Sequence, residues 1–217
     1  ARVPASEARA LGVGLPPHVA ALGGRGADVA VPVWDDPAVD WAAFDVVVVR
    51  STWDYHRQRD AFCSWADAVG AATRLCNPAP VLRWNTDKRY LGDLQAAGIG
   101  VVPTVFLAPG DEVRLPEASE RTGEIVVKPA VSAGARDTAR HRPGGGGRAG
   151  AVAHAEALLA DGRGVMLQPY LGRVDTDGET AVICIDGVVS HAIRKGPLLR
   201  AGAAPTRALF AEEDIRG

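Results

Sequence analysis

At 217 residues the chain is long enough to bury a substantial core, in one domain or two. A formal net charge of −2, with both signs well mixed, lacks the basic footprint of a nucleic-acid binder. No run approaches the ~18 apolar residues of a membrane span, and the first residues carry no signal-peptide pattern. Three scattered cysteines, Cys63, Cys76 and Cys184, form neither C-x-x-C pairs nor metal-spaced sets with histidine. They predict a reduced, cytoplasmic protein. The opening A-R-V-P-A-S-E-A-R reads as a loop and the closing A-E-E-D-I-R-G as the start of another element. Further structure is therefore expected at both ends.

In chain order, Pro16 to Leu22 reads as a helix with proline in its first turn, closed by Gly23, Gly24 and Gly26. Asp28 to Trp34 reads as a strand that Pro32 places near an edge. Asp45 to Arg50, D-V-V-V-V-R, is the strongest strand signal, and its unbroken valines predict cover on both faces, as in a parallel sheet. Arg57 to Val69 reads as a helix. The alternation predicts a doubly wound α/β unit over residues 1–83. Ligands of such units bind at the carboxyl ends of strands. Arg50, Ser51, Thr52 and Asp54, in R-S-T-W-D-Y, are therefore candidates for a small zwitterionic substrate. Capping of the next helix by Ser, Thr or Asp explains the same residues equally well. Trp53 and Tyr55 read as packing residues.

Cys76 to Trp84 reads as a proline-stiffened connection, and Asn85 or Thr86 as the cap of a helix that reaches Ala97 and stops at Gly98 and Gly100. Val101 to Leu107 is a short predicted strand, and Pro109 to Gly123 an acidic, turn-rich segment. Next comes I-V-V-K-P-A-V-S-A-G-A-R-D-T, residues 125 to 138. Ile125 to Val127 predict a buried strand ending in Lys128, with Pro129 stopping the ladder. The small-residue loop beyond it lets backbone N–H groups approach an oxyanion closely. A surface turn with an incidental lysine has the same spelling.

Lysine usage weighs on that choice. Lys and Arg total 24, yet only Lys88, Lys128 and Lys195 are lysines. A chain that otherwise writes arginine keeps a compact ammonium at three places. At ~4 Å each unit charge pair is worth about 4 kcal/mol at an effective dielectric near 20, so two lysines close to a polyphosphate matter energetically. Chance in a sample of three remains the competing account. Further on, Pro143 to Arg148 reads as a flexible glycine-rich linker, or a lid. Ala151 to Leu159 reads as a helix, Gly164 to Tyr170 as a strand, and Glu179 to Lys195 as a hairpin turning at Asp186-Gly187.

Taken in order, N-T-D-K, V-V-K-P, L-Q-P-Y-L, G-E-T-A-V and H-A-I-R-K, after a Rossmann-like leader, resemble the ATP-grasp superfamily of ligases over most of residues 1–200. The resemblance implies an α/β fold with α+β lobes. A Rossmann-like pre-ATP-grasp domain would span 1–83, a small lobe 84–166 and a partial large lobe 167–217. It implies ATP and Mg2+ as cofactors, a carboxylate phosphorylated to an acyl phosphate, and attack by nitrogen.

Lys88 and Lys128 would contact the phosphates, and Ser132, Ala133 and Gly134 would close over them. Gln168, Pro169, Tyr170 and Leu171 would form the adenine hinge. Glu179, with Asp175 as a second candidate, would accept from the ribose. Arg194 and Lys195 would be the catalytic cations, with His191 a lesser candidate, and Arg136 joins the substrate-binding group. The partner expected is a small amino-acid-like molecule, without nucleic acid or membrane; a homo-oligomer is open. Within the superfamily the wording is most similar to a cyclo-ligase branch, in which the attacking nitrogen belongs to the same molecule. An intermolecular amino-acid or peptide ligase, or a nucleotide-binding module without turnover, are the alternatives. The family's Mg2+ ligands lie on strands beyond the hairpin; Glu212, Glu213 and Asp214 do not match their E-x-N pattern, so the metal ligands stay unassigned.

Overall fold

The computed structural model describes residues 15–117, 123–142, 144 and 146–199, and the backbone of 215–216. The chain divides into two compact units, residues 1–87 and 88–217, each described by itself. Among the described residues no helix is long and apolar enough to cross a membrane.

The first unit opens with helix α1 (Leu15–Gly23). Strand β1 (Val46–Val48) pairs in parallel with β2 (Arg74–Cys76), and the connection between them is α2 (Arg59–Ala72). A parallel pair needs such a crossover because the chain must return to the same end. Along α2, Phe62, Cys63, Ala66 and Val69 are buried, the stripe expected of a helix laid on a sheet. Trp34, Val47, Leu75, Ala79 and Leu82 complete that core. Trp34 meets the Phe62 ring edge-on at 5.3 Å, and Phe62 stacks on Trp65 at 5.4 Å.

Three expectations for this unit are corrected. Residues 28–34 form no strand: Pro32 has no N–H to donate, and Val31 and Val33 are exposed. The valine run is not covered on both faces, since Val46 and Val48 are 47% and 59% exposed while Val47 is buried. Alternation along the strand leaves α2 to cover only one side among the described residues. The connection after Cys76 is in fact helix α3 (Ala79–Asn85), with Pro78 at its N-cap and Pro80 in its first turn, where the missing N–H costs nothing.

In the second unit, α4 spans Tyr90–Ala96, later than expected. Asn85 closes α3, Thr86 is its C-cap, and Lys88 lies in the turn before α4. The main sheet contains β3 (Val105–Leu107), β4 (Ile125–Pro129), β5 (Ala139–His141) and β6 (Val165–Pro169) in the order β3-β6-β4-β5, antiparallel throughout. Pro129 does not end the ladder; it is opposite Val165. It is tolerated because β5 pairs only with residues 125–127, leaving one side of β4 open there.

Helix α5 (Gly147–Ala160) covers one face through Ala151, Ala155, Leu158 and Leu159, against Ile125, Val127, Val165 and Leu167. It begins four residues before the predicted start. Gly147 and Arg148 therefore belong to a helix rather than a linker. A Cβ on Gly147 would collide with the Arg142 carbonyl, so the chain turns there only with glycine. A short α6 (Val174–Asp177) precedes the hairpin of β7 (Glu179–Ile185) and β8 (Val188–Lys195), and β9 (Ile215–Arg216) pairs with β8. Asp186 and Gly187 turn the hairpin with φ of 52° and 76°, the left-handed pair that matches strand twist.

Candidate nucleotide cleft

Side-chain alternation builds the site. Ile125 and Val127 face α5, so Val126 and Lys128 face the opposite way. The register sets Gln168 and Arg140 opposite Val126 on the neighbouring strands, in a row across that face. There a cleft of about 460 Å3 opens. Its polar lining includes Lys88, Lys128, Ser132, Gly134, Glu179 and Lys195. Its apolar lining includes Val102, Val126, Tyr170, Leu171, Val174 and Leu199.

Lys88 is tied to the loop after β4. Its backbone N–H donates to the Ala130 carbonyl at 3.0 Å, and its Nζ to the Ser132 carbonyl at 2.8 Å and Ser132 Oγ at 3.1 Å. The loop itself runs through left-handed backbone at Gly134, Ala135 and Asp137, with φ of 60°, 55° and 53°. Two of these are not glycine, which marks a loop held in an unfavourable conformation by its surroundings.

Lys128 is different. Among the described residues its ammonium makes no hydrogen bond or ion pair. Burial lowers its pKa from the ordinary 10.5, with the Glu179 carboxylate working in the opposite direction. Its side chain is only half-buried by area, so the ammonium is crowded by protein yet opens on the cleft.

A polar clamp stands behind Tyr170. The Arg140 guanidinium lies 3.5 Å from the centre of the Tyr170 ring. It donates to Glu124 at 2.6 Å and to Asp175 at 2.8 Å, and the Tyr170 hydroxyl donates to the same Asp175 oxygen at 2.6 Å. Burial first, then the Asp175 bond, pushes the Tyr170 phenol up to about 12. Hydrogen bonds from Arg140 and Tyr170 hold the Asp175 carboxyl below its usual range. Tyr170 N–H donates to the Glu124 carbonyl at 3.0 Å, and Gln168 Nε2 to Thr104 Oγ1 at 2.7 Å.

The structure therefore brings Lys88, Lys128, Ser132, Gly134, Gln168, Pro169, Tyr170, Leu171, Glu179 and Lys195 to one cleft. Ala133, Asp175, Arg136 and Arg194 do not line it. Arg136 lies 3.7 Å from Asp137. Arg194 is exposed on the face of β8 opposite Lys195, and Thr180, not Glu179, is its cross-strand neighbour. His191 is exposed beside Ser190. Arg50, Ser51, Thr52 and Asp54 belong to the first unit; Ser51 has a φ of 58°, and Asp54 accepts from the Trp34 indole at 3.1 Å instead of capping a helix. Sequence reasoning missed Arg140, which sits in a three-residue strand with no recognisable pattern. It also missed Val126, although the two-residue offset from Lys128 already placed it on the same face.

A structure of the ATP-grasp ligase PsnB complexed with minimal precursor matches over 94% of this chain and 72% of that one, with TM-score 0.54 and 22% identity, a likeness of fold alone. The class is thus an ATP-grasp fold, as the sequence resemblance implied. Residues 4–77 match the family model described as D-cycloserine synthetase DcsG, N-terminal domain. The cycloserine biosynthesis protein DcsG of Streptomyces lavendulae is 39% identical over 190 residues, 85% of this chain and 63% of that protein. A crystal structure of D-cycloserine synthetase DcsG matches with TM-score 0.79 and 35% identity, over 95% of this chain and 70% of that one. The chain belongs to the DcsG family of ATP-grasp proteins, and it spans 63% of the length of its curated relative.

Proposed function

We propose that the cleft binds ATP and that the protein acts as an ATP-dependent carbon–nitrogen ligase on a small amino-acid-like carboxylate. The observation that carries this reading is the Lys128 ammonium, desolvated and without a hydrogen-bonding partner among the described residues, beside a second lysine already fixed to a small-residue loop. A charge held in that way is stabilised by an anion entering the cleft. The cleft volume is within the range of ligand pockets. Its lining supplies both kinds of group a nucleotide needs, cations for the phosphates and apolar side chains for the base. Lys88, Lys128 and Lys195 supply the phosphate side. Glu179 is the ribose candidate, because it lines the cleft where Asp175 does not.

Mg2+ is expected to accompany the triphosphate. Among the described residues no group of three His, Cys, Asp or Glu could hold a metal.

The chemistry transfers the γ-phosphoryl group to a carboxylate oxygen and releases ADP. A nitrogen then attacks the acyl carbon and phosphate leaves. The similarity to a protein named D-cycloserine synthetase supports ring closure of O-ureido-D-serine. Its oxygen-bound nitrogen would attack the acyl carbon and expel phosphate, closing the ring, and water would hydrolyse the carbamoyl group from that nitrogen as carbon dioxide and ammonia to leave D-cycloserine. Holding both reacting ends in one pocket makes the step unimolecular, an effect worth ~7–11 kcal/mol. The test is product mass after incubation with ATP and O-ureido-D-serine. A cyclic product with stoichiometric ADP is expected. A product joining two amino-acid molecules would favour the intermolecular ligase, and ATP binding without ADP release would favour a binding module.

A further inference from the structure

The cleft wall behind Tyr170 is built around a single buried arginine. Arg140 is 6% exposed, and its guanidinium reaches four separate segments. Nε and Nη2 donate to Glu124 at 3.0 and 2.6 Å, just before β4. Nη1 donates to Asp175 on α6 and to the Leu199 carbonyl at 3.5 Å, beyond β8. The flat of the cation covers the Tyr170 ring. Tyr170 and Leu199 both line the cleft, whereas Arg140 does not touch it. A planar fork with five donors can bridge two carboxylates and stack at once; an ammonium cannot.

We propose that Arg140 is the positioning residue for the base side of the nucleotide cleft. Clamped by Glu124 and Asp175, it sets where the Tyr170 ring and the Leu199 carbonyl stand. Asp175 is then an anchor for Tyr170 rather than a ribose acceptor. The inference rests on the nucleotide-binding reading above and adds a residue to it.

The two can be separated with ligands that share phosphates but not a base. Calorimetry on the whole chain would compare ATP with inorganic tripolyphosphate, for wild type, Arg140→Gln, Arg140→Lys and Tyr170→Phe. Loss of a hydrogen bond to a charged group predicts about 10-fold weaker ATP binding in both Arg140 variants, with tripolyphosphate binding unchanged. Tyr170→Phe, which removes only the hydroxyl bond to Asp175, keeps the question answerable if an Arg140 variant does not fold; about 3-fold weaker ATP binding is expected from it. Equal ATP affinity in the folded variants overturns the positioning role alone. Parallel loss of both ligands also overturns it, showing general damage. Absence of ATP binding by the wild type overturns the nucleotide reading and this inference with it.

Discussion

Lys128 shows how a residue can oppose the fold and serve the site. Its lowered pKa means that the unfolded chain holds a proton which the folded chain has already released, between the lowered value and 10.5. Where the unfolded state binds more protons, stability rises with pH. Stability should therefore climb as pH increases through that alkaline interval. Below it both states are charged, and the fold carries the whole desolvation cost. Lys128→Met removes this cost. It is expected to raise the thermal midpoint at neutral pH, by about 2–4 °C for each kcal/mol relieved at this chain length, and to flatten the alkaline slope. The same variant should lose nucleotide affinity, so a melting series and a titration together check the assignment. Unchanged nucleotide binding in a stabilised variant would sink it.

At the scale of elements, the start of the β7–β8 hairpin brings Glu179 and Lys195 opposite one another at the cleft. Gly178, with φ of 70°, makes that approach possible, because a Cβ there would run into the Lys195 carbonyl. Gly178→Ala must either strain the backbone or push the strands apart. A cost of about 1–3 kcal/mol is expected, with weaker ATP binding, and chemical denaturation beside calorimetry measures both. Gly187→Ala, also at positive φ but with open space around it, should cost stability at the hairpin tip and leave ATP affinity alone. The contrast distinguishes a glycine that shapes the cleft from one that only makes a turn.

For the molecule as a whole, the tryptophans provide a selective report. All five, Trp34, Trp41, Trp53, Trp65 and Trp84, belong to the first unit. Tryptophan fluorescence thus follows unfolding of residues 1–87, while nucleotide titration follows the cleft in residues 88–217. Phe62 is fully buried among Trp34, Trp65 and Tyr55. Phe62→Ala should lower the stability read by tryptophan fluorescence by about 3–5 kcal/mol. A fluorescence transition that does not move would contradict the aromatic core described for this unit.

What the amino-acid order determined by itself is local. Valine and alanine content, turn glycines and the scarcity of lysine specified β4, α5, β6 and the hairpin, and picked out Lys88, Lys128 and Lys195 before any coordinates. Those signals depend on neighbours within a few residues. Partners across space do not. Whether Val46 is covered, whether Pro129 pairs, and that Lys195 rather than Arg194 lines the cleft were decided by strand register and by what packs on each face. The Arg140 clamp joins residues 124, 140, 170, 175 and 199, whose separations along the chain carry no period. Only the antiparallel sheet, which sets Arg140 across from Val126 and the end of β6 beside Glu124, brings them within hydrogen-bonding reach.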